Sequence, residues 1–211
     1  MEWNNYKKMD AGCDKYGKYR LELALYIRDN VFNTNENEKE IDNIWFIESG
    51  TLLGAWRNNK FIPHDDDFDM AILIENKSEI KIIYDKISKL LPNKYKCRIV
   101  DTYCEKIEIY EPSYGKYILE GIKYNNADYH YVTLDLQFYL KKDDNTYEVL
   151  YYINSNNNLI SKDLIITTNL IMLENHYFNA PNNTLEFLKN SYGSLDKNAK
   201  YCSKTGKYKL I

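Results

Sequence analysis

The sequence lacks the features that mark exported, membrane-spanning and nucleic-acid-binding proteins. Its apolar runs fall well short of the roughly 20 residues that a membrane-spanning helix needs. The N-terminal stretch contains no apolar segment of a secretory signal. Its 28 Lys and Arg residues are outnumbered by 31 Asp and Glu residues, a net charge of −3, whereas nucleic-acid binding needs a basic surface. We therefore expect a cytoplasmic protein with no membrane span and no nucleic-acid partner.

Cysteine, glycine and proline are also scarce. The four cysteines, Cys13, Cys97, Cys104 and Cys202, include no pair at the C-x₂₋₄-C spacing of a zinc site. Without an export signal, we expect reduced, structural thiols. Tyrosine is instead abundant, with 21 residues. This abundance is typical of an AT-rich genome, and it also suits a surface that stacks on sugars or bases.

The 211-residue length suits one domain, and the chain shows neither an internal repeat nor a linker. We predict a single α+β domain over residues 1–211, with a mixed β-sheet flanked by helices. Hydrophobic periodicity and turn residues predict helices at 19–32, 51–57, 77–91 and 184–192, strands at 44–47, 67–74, 131–140 and 147–153, and a loop at 155–163.

An acidic cluster is the sharpest feature of the chain. Asp67 and Asp69 lie two residues apart on a predicted strand, so their side chains share a face. Two carboxylates ~4 Å apart repel by about 4 kcal/mol at an effective dielectric constant of about 20. A divalent cation removes this repulsion, and oxygen ligands suit Mg²⁺ or Mn²⁺. Asp135 is the candidate third ligand, since a lone carboxylate in an apolar strand is costly without a role.

The segment that precedes this cluster is suited to phosphate binding. Gly50 and Thr51 open a predicted short helix, whose backbone N–H groups and positive end favour an anion. Arg57 is placed to hold a second phosphate oxygen. Together with the metal ligands, these residues predict metal-assisted phosphoryl transfer.

Three other interpretations of the acidic segment are possible in principle. A calcium-binding EF loop starting at Asp65 fails, because Met70 stands where Gly is required and Asn76 where Glu is required. A P-loop is excluded, because residues 50–57 lack its Lys-Ser/Thr ending. A solvated acidic loop stays open on the Asp-x-Asp pattern alone.

Taken whole, the segment closely resembles the LicD/fukutin family, whose signature is a GTLLG-type turn, an Arg, an aromatic-Ile-Pro step and a DDDxD cluster. Here these elements are Gly50-Thr51-Leu52-Leu53-Gly54, Arg57, Phe61-Ile62-Pro63 and Asp65-Asp66-Asp67-Phe68-Asp69. Residues 133–139 resemble the family's later strand with its central Asp, and residues 178–193 its closing motif. The resemblance covers about 21–193, with a signature core at about 44–193.

The resemblance implies a nucleotidyltransferase-like fold and a phosphotransferase. Such enzymes move a phospho-alcohol, for example phosphocholine or ribitol phosphate, from a CDP-activated donor to a glycan acceptor. Carried over to this chain, Asp67, Asp69 and Asp135 would bind Mg²⁺ (or Mn²⁺), and Asp65 would support them or act as the base for the acceptor hydroxyl. Gly50 and Thr51 would face the donor diphosphate.

One position departs from the family pattern. His64 stands where the family usually has Trp, which bears on stacking near the donor; we expect packing or a supporting hydrogen bond rather than direct catalysis. Glu48 could hold Arg57 or reach the metal, and it is not placed in the catalytic set.

Three rival functions share the features described so far. The same carboxylates serve a nucleotidyltransferase that transfers NMP. A glycosyltransferase can use Asp-x-Asp for a nucleotide-sugar, although no nucleotide-binding βαβ half is visible near the N-terminus. A non-catalytic binding domain of the same fold is the third rival, and the intact carboxylates count against it.

Overall fold

The computed structural model describes residues 11–32, 43–101, 104–118, 128–150, 158–196, 198–202 and 207–210. The described α-helices are α1 (Cys13–Ile27), α2 (Ser49–Asn58), α3 (Ser78–Leu90), α4 (Lys162–Ile165) and α5 (Thr184–Tyr192). The described strands are β1 (Trp45–Ile47), β2 (Asp69–Ile74), β3 (Lys96–Asp101), β4 (Glu105–Tyr110), β5 (Lys116–Ile118), β6 (Asp128–His130), β7 (Thr133–Lys141), β8 (Thr146–Val149), β9 (Leu159–Ser161), β10 (Asn169–Leu173), β11 (His176–Ala180), β12 (Lys200–Cys202) and β13 (Lys207–Lys209).

A mixed seven-stranded sheet forms the centre of the protein. Its main order is β1-β2-β7-β4-β3, while β8 pairs with the far end of β7 and β9 pairs with β8. The β2–β7 pair is parallel, and the other pairs of this sheet are antiparallel. The mixed sheet flanked by helices confirms the predicted α+β fold.

The core contains both apolar and polar sheet surface. All six residues of β2 are buried, as expected for a strand covered on both faces. Helix α3 buries Ile80, Ile83 and Ile87, which recur at helical spacing. The face of β7 that carries Asp135 and Gln137 is buried as well, with each residue 3% exposed. Polar groups inside the protein therefore need partners or a ligand.

The predicted secondary structure is confirmed in most of the described chain. Helix α5 ends where predicted, with Gly193 at a φ of 78°, a conformation that favours glycine. The Asn183 side chain accepts a hydrogen bond from the Glu186 N–H (3.2 Å) and caps its start. The prediction of a loop at 155–163 is wrong for residues 159–163, which form β9 and the start of α4. Part of the predicted 147–153 strand lies outside the described residues.

Two further features bear on the predictions from composition. Within the described ranges, no helix is both long and apolar enough to cross a membrane. Cys13 and Cys97 carry free thiols, Cys104 is buried, and the Cys202 side chain lies outside the described residues.

Candidate active site

Three predicted ligand residues meet at the centre of the sheet. Asp69 on β2 and Asp135 on β7 are direct neighbours in the parallel register. Asp67 lies in the loop just before β2 rather than on the strand. One carboxylate oxygen of each residue lies within 4.8 Å of those of the other two. The fold therefore brings Asp67, Asp69 and Asp135 together, although they come from two separate parts of the chain.

These carboxylates lie in an environment that disfavours negative charge. Burial raises the pKa of Asp67 well above its ordinary value, and the charges of Asp66 and Asp65 raise it further. Burial likewise raises the pKa of Asp69, with added repulsion from Asp67 and Asp135. A bound divalent cation would reverse both effects, since it stabilises the charged carboxylates.

A buried lysine faces the same cluster. Lys106 on β4 forms an ion pair with Oδ2 of Asp135, and the two side chains are 3% and 5% exposed. Lys106 was not predicted from the sequence. Its strand alternates polar and apolar residues, a pattern that usually indicates a solvated polar face, and only the pairing of β4 with β7 places it beside Asp135.

The loop that carries the acidic cluster is held by α1. The N–H of Cys13 donates to the carbonyl of Asp65 (2.8 Å), and the N–H of Asp14 donates to that of Pro63 (3.0 Å). The fully buried Arg20 donates from Nη1 to the same Asp65 carbonyl (3.2 Å) and from Nη2 to the carbonyl of Tyr131 (2.5 Å). These contacts join the acidic loop to α1 and to the start of β7.

The start of α2 contacts the carboxylates directly. The Thr51 hydroxyl accepts a hydrogen bond from the Asp69 N–H (3.0 Å). The Asp65 carboxyl packs against Gly50 so closely that a Cβ atom there would lie 2.4 Å from Oδ2; only glycine allows this approach. Burial, with repulsion from Asp66, raises the pKa of Asp65 to about 7. The structure thus places Gly50, Thr51 and Asp65 at one edge of the cluster.

The other two predicted site residues lie farther out. Arg57 uses Nε to donate to the carbonyl of Leu195 (3.2 Å), so part of its guanidinium fixes the segment after α5. His64 is exposed on the loop before the acidic cluster. Their predicted roles in substrate binding stay predictions.

Glu48, at the end of β1, is a second buried acid near the cluster. Its side chain is 4% exposed in the fold, and its Oε2 accepts a hydrogen bond from the Tyr139 hydroxyl. Burial raises its pKa to about 7, the Tyr139 hydrogen bond opposes the shift, and the Asp135 charge adds to it. From the sequence, Glu48 was expected to hold Arg57 or reach the metal and was not placed in the catalytic set; its hydrogen-bond partner in the fold is Tyr139.

The residues present fit a hard divalent cation. The three converging groups offer only carboxylate oxygens, the ligands that Mg²⁺ and Mn²⁺ prefer. Oδ1 of Asp135 is buried and has no hydrogen-bond partner among the described residues, whereas Oδ2 is held by Lys106. A buried carboxylate oxygen without a partner is costly, and a cation bound by Asp67, Asp69 and Asp135 would satisfy it.

We expect the metal-free protein to lose stability as the pH rises from about 4.5 to about 7. The Glu48 pKa rises on folding from 4.5 to about 7, so in this window the folded state holds more protons than the unfolded chain. Glu48 alone contributes about 3 kcal/mol to the free energy of unfolding. This contribution is complete below the window and is lost as the pH rises through it. The raised pKa values of Asp67 and Asp69 also make the metal-free protein less stable as the pH rises.

Urea unfolding in a chelator at pH 5 and pH 8 measures this loss. His130 has the opposite effect, because burial lowers its pKa, so its contribution to stability increases as the pH rises. Glu48→Gln leaves the His130 contribution unchanged. The variant should therefore show a smaller difference in unfolding free energy between the two pH values than the wild type. Equal pH dependence of the wild type and Glu48→Gln would contradict the assignment of Glu48 as a buried acid that is hard to ionise.

Two curated relatives share part of the sequence. An uncharacterized protein of Rickettsia prowazekii (strain Madrid E) is 36% identical over 93 residues, which cover 42% of this chain and 33% of that protein. An uncharacterized protein of Rickettsia typhi (strain ATCC VR-144 / Wilmington) is 33% identical over 89 residues, which cover 42% of this chain and 28% of that protein. The matches therefore span no more than a third of the length of either relative.

A family profile covers a larger part of the chain. The profile described as LicD/FKTN/FKRP, nucleotidyltransferase domain, matches residues 43–183. This range is more than half of the chain, and it includes the acidic cluster, α2 and all of β7. The chain therefore belongs to the LicD/FKTN/FKRP nucleotidyltransferase-domain family.

Proposed function

We propose that this protein is a divalent-metal-dependent phosphotransferase that moves a phospho-alcohol group from a CDP-activated donor to a glycan acceptor. Family membership suggests a transferase that modifies a glycan. The observation that carries the metal-dependent part is the convergence of three carboxylates, the half-buried Asp67 and the buried Asp69 and Asp135. The choline- or ribitol-like alcohol, the CDP donor and the cytoplasmic location belong to the same proposal.

The carboxylates would hold Mg²⁺ or Mn²⁺, which neutralises phosphate charge and favours in-line displacement. Asp67 would supply a ligand oxygen from the loop before β2, Asp69 from β2 itself and Asp135 from β7. The N–H groups of Gly50 and Thr51 at the start of α2 would face the donor diphosphate. The sheet thus fixes the ligands, and the helix start orients the anion beside them.

Asp65 is the candidate base for the acceptor hydroxyl. It lies in the same loop as Asp67, packs against Gly50, and one of its carboxylate oxygens, Oδ2, has no hydrogen-bond partner among the described residues. Its backbone is fixed by hydrogen bonds from Cys13 and Arg20. An immobilised carboxylate with an unused oxygen at the edge of the cluster can take a proton from an attacking hydroxyl.

Calorimetric titration with CDP, CMP, UDP-sugars and GDP-sugars, with and without Mg²⁺, tests the proposed function. We expect a Mg²⁺-dependent preference for CDP that is lost in Asp67→Ala. Analysis of the products after incubation with CDP-choline or CDP-ribitol and a glycan then identifies the leaving group. Release of CMP supports phospho-alcohol transfer, whereas an NMP adduct or a preference for a UDP-sugar would replace it with the corresponding rival.

We expect Asp65→Asn to lower the rate of transfer by about 10²- to 10⁴-fold, the usual contribution of a general base. The amide keeps the size of the side chain and cannot accept the proton. Steady-state rates measured with saturating donor and Mg²⁺ check this, with Mg²⁺ affinity measured in parallel. A parallel loss of Mg²⁺ affinity would instead identify Asp65 as a metal ligand.

A further inference from the structure

A cavity of about 560 Å³ opens beside the carboxylate cluster. Its walls come from the start of α2, the far end of β7, β9, α5 and β13, and they include Glu48, Tyr139, Tyr192 and Lys207. This volume is typical of a pocket for a small ligand. The cavity lies near the cluster, because Glu48 in its wall donates its backbone N–H to the carbonyl of Asp69 (3.1 Å).

Glu48, in the wall of this cavity, carries an unused hydrogen-bond acceptor. Its Oε2 is occupied by the Tyr139 hydroxyl, whereas its Oε1 has no hydrogen-bond partner among the described residues. The side chain is buried, so water does not surround it as it would a surface carboxylate. Both residues line the cavity, so the natural partner of Oε1 is an N–H or O–H group of a ligand in the cavity.

Glu48 is separate from the group of carboxylates that fits a metal. In the described part of the chain, the two sets of acids whose oxygens can share an ion are Asp65–Asp66–Asp67 and Asp67–Asp69–Asp135, and neither contains Glu48. Its free oxygen therefore has no place in the cation site proposed above. A role in binding an organic ligand accounts for it instead.

Lys207 gives the cavity a positive charge. It lies on β13, beyond the residues that match the family profile, and its strand is held to the end of α5, where the N–H of Ser194 donates to the carbonyl of Tyr208 (2.9 Å). Its side chain is exposed at the cavity wall. A flexible ammonium group at the rim of a pocket suits a phosphate.

We propose that this cavity binds a phosphorylated ligand that also presents an N–H or O–H group, with Glu48 Oε1 accepting that hydrogen bond and Lys207 facing the phosphate. The inference rests on the proposed function in one respect, since it takes the ligand to be the nucleotide donor. The hydrogen-bond donor is then either the exocyclic amine of cytosine, a group that Glu recognises, or a hydroxyl of the ribose.

Titration of CDP, UDP and inorganic pyrophosphate into wild type, Glu48→Met and Glu48→Gln, all with Mg²⁺, tests the role of Glu48. We expect Glu48→Met to weaken CDP binding by about tenfold, the usual effect of losing a buried hydrogen bond, with a smaller loss in Glu48→Gln. Pyrophosphate carries no such N–H or O–H group, so its affinity should not change. A loss for CDP alone identifies the amine, and an equal loss for UDP identifies the ribose.

Two results would overturn the assignment of Glu48: unchanged CDP affinity in Glu48→Met, or an equal loss for pyrophosphate, which would mean that Glu48 acts through the metal. Thermal unfolding shows whether each variant folds. Met replaces a buried carboxylate with an apolar side chain of similar length, so we expect the fold to persist, and Glu48→Gln is a second variant that keeps a polar side chain in place.

Lys207→Ala and the matched control Lys209→Ala test the phosphate contact. The two lysines lie two residues apart on β13, but Lys209 is not part of the cavity wall. We expect Lys207→Ala to weaken CDP and pyrophosphate alike by about threefold to fivefold, as for an exposed charge, and Lys209→Ala to have no effect. Equal effects of both variants would overturn the contact.

Failure of this inference can be distinguished from failure of the proposed function. CDP binding that depends on Glu48, without any transfer to a glycan, would refute the proposed function and leave the cavity assignment standing. Transfer from a CDP-activated donor that Glu48→Met leaves unchanged, in rate and in donor affinity, would refute the cavity assignment alone.

Discussion

Asp69→Asn is expected to reduce Mg²⁺-dependent transfer by about 10³-fold or more, since the cation is worth several kcal/mol in stabilising charge in the transition state. The same substitution is expected to make the metal-free protein more stable. Asp69 is 6% exposed, and its carboxylate faces the negative charges of Asp67 and Asp135. Removing its charge relieves this repulsion, while the amide keeps the size of the side chain.

Activity with a CDP-activated donor, Mg²⁺ affinity and urea unfolding in a chelator are the three measurements. Asp144→Asn is the matched control, since Asp144 is an exposed acid in the turn between β7 and β8; it should change none of them. Undiminished activity of Asp69→Asn would overturn the metal assignment. Loss of the fold would show that the Asp69 carboxylate stabilises the metal-free protein, which would contradict the expected gain in stability.

The proposed metal ligands were predictable because their signal is local. Asp67 and Asp69 stand two residues apart before an apolar run, and Asp135 lies within a strand rich in apolar residues. Each pattern makes a carboxylate costly unless it has a role. The sequence does not contain the parallel register that makes Asp69 and Asp135 direct neighbours. The two segments were joined by the cost of a lone carboxylate in an apolar strand and by the family resemblance.

Residues that support these ligands were missed because their signal is not local. Arg20 looks like one charged residue on an amphipathic helix, and only the folded chain buries it against the Asp65 carbonyl. Lys106 and Glu48 likewise follow ordinary polar patterns. Alternation indicates which residues share a face, but it does not tell whether water or protein covers the polar face.

The errors in secondary structure have a similar cause. β9 and α4 are only three and four residues long, too short for periodicity to distinguish them from a loop. β9 is a strand because it pairs with β8, through partners such as Tyr147 and Ile160. The hairpin of β10 and β11 also depends on pairing, and its turn uses Glu174 and Asn175 with positive φ angles rather than glycine.

Lys106 is expected to hold the metal-free site together. Its ammonium is the buried positive partner of Asp135, and its charge also favours the ionised form of Asp67. Lys106→Met keeps the aliphatic stem but leaves the Asp135 carboxylate buried beside two other acids. Breaking a buried ion pair from one side costs about 3–5 kcal/mol, and we expect a loss of this size in the free energy of unfolding measured in a chelator.

The double variant Lys106→Met/Asp135→Asn separates this effect from a loss of packing. If the cost comes from the unpaired carboxylate, the double variant should recover most of the lost stability, because a neutral pair removes the buried charge. Mg²⁺ should also restore stability to Lys106→Met, since a cation at the carboxylates replaces the missing charge, but it should not stabilise the double variant to the same extent. Additive losses in the double variant would mean that Lys106 contributes through packing, and the protein would then tolerate the three carboxylates without a positive partner.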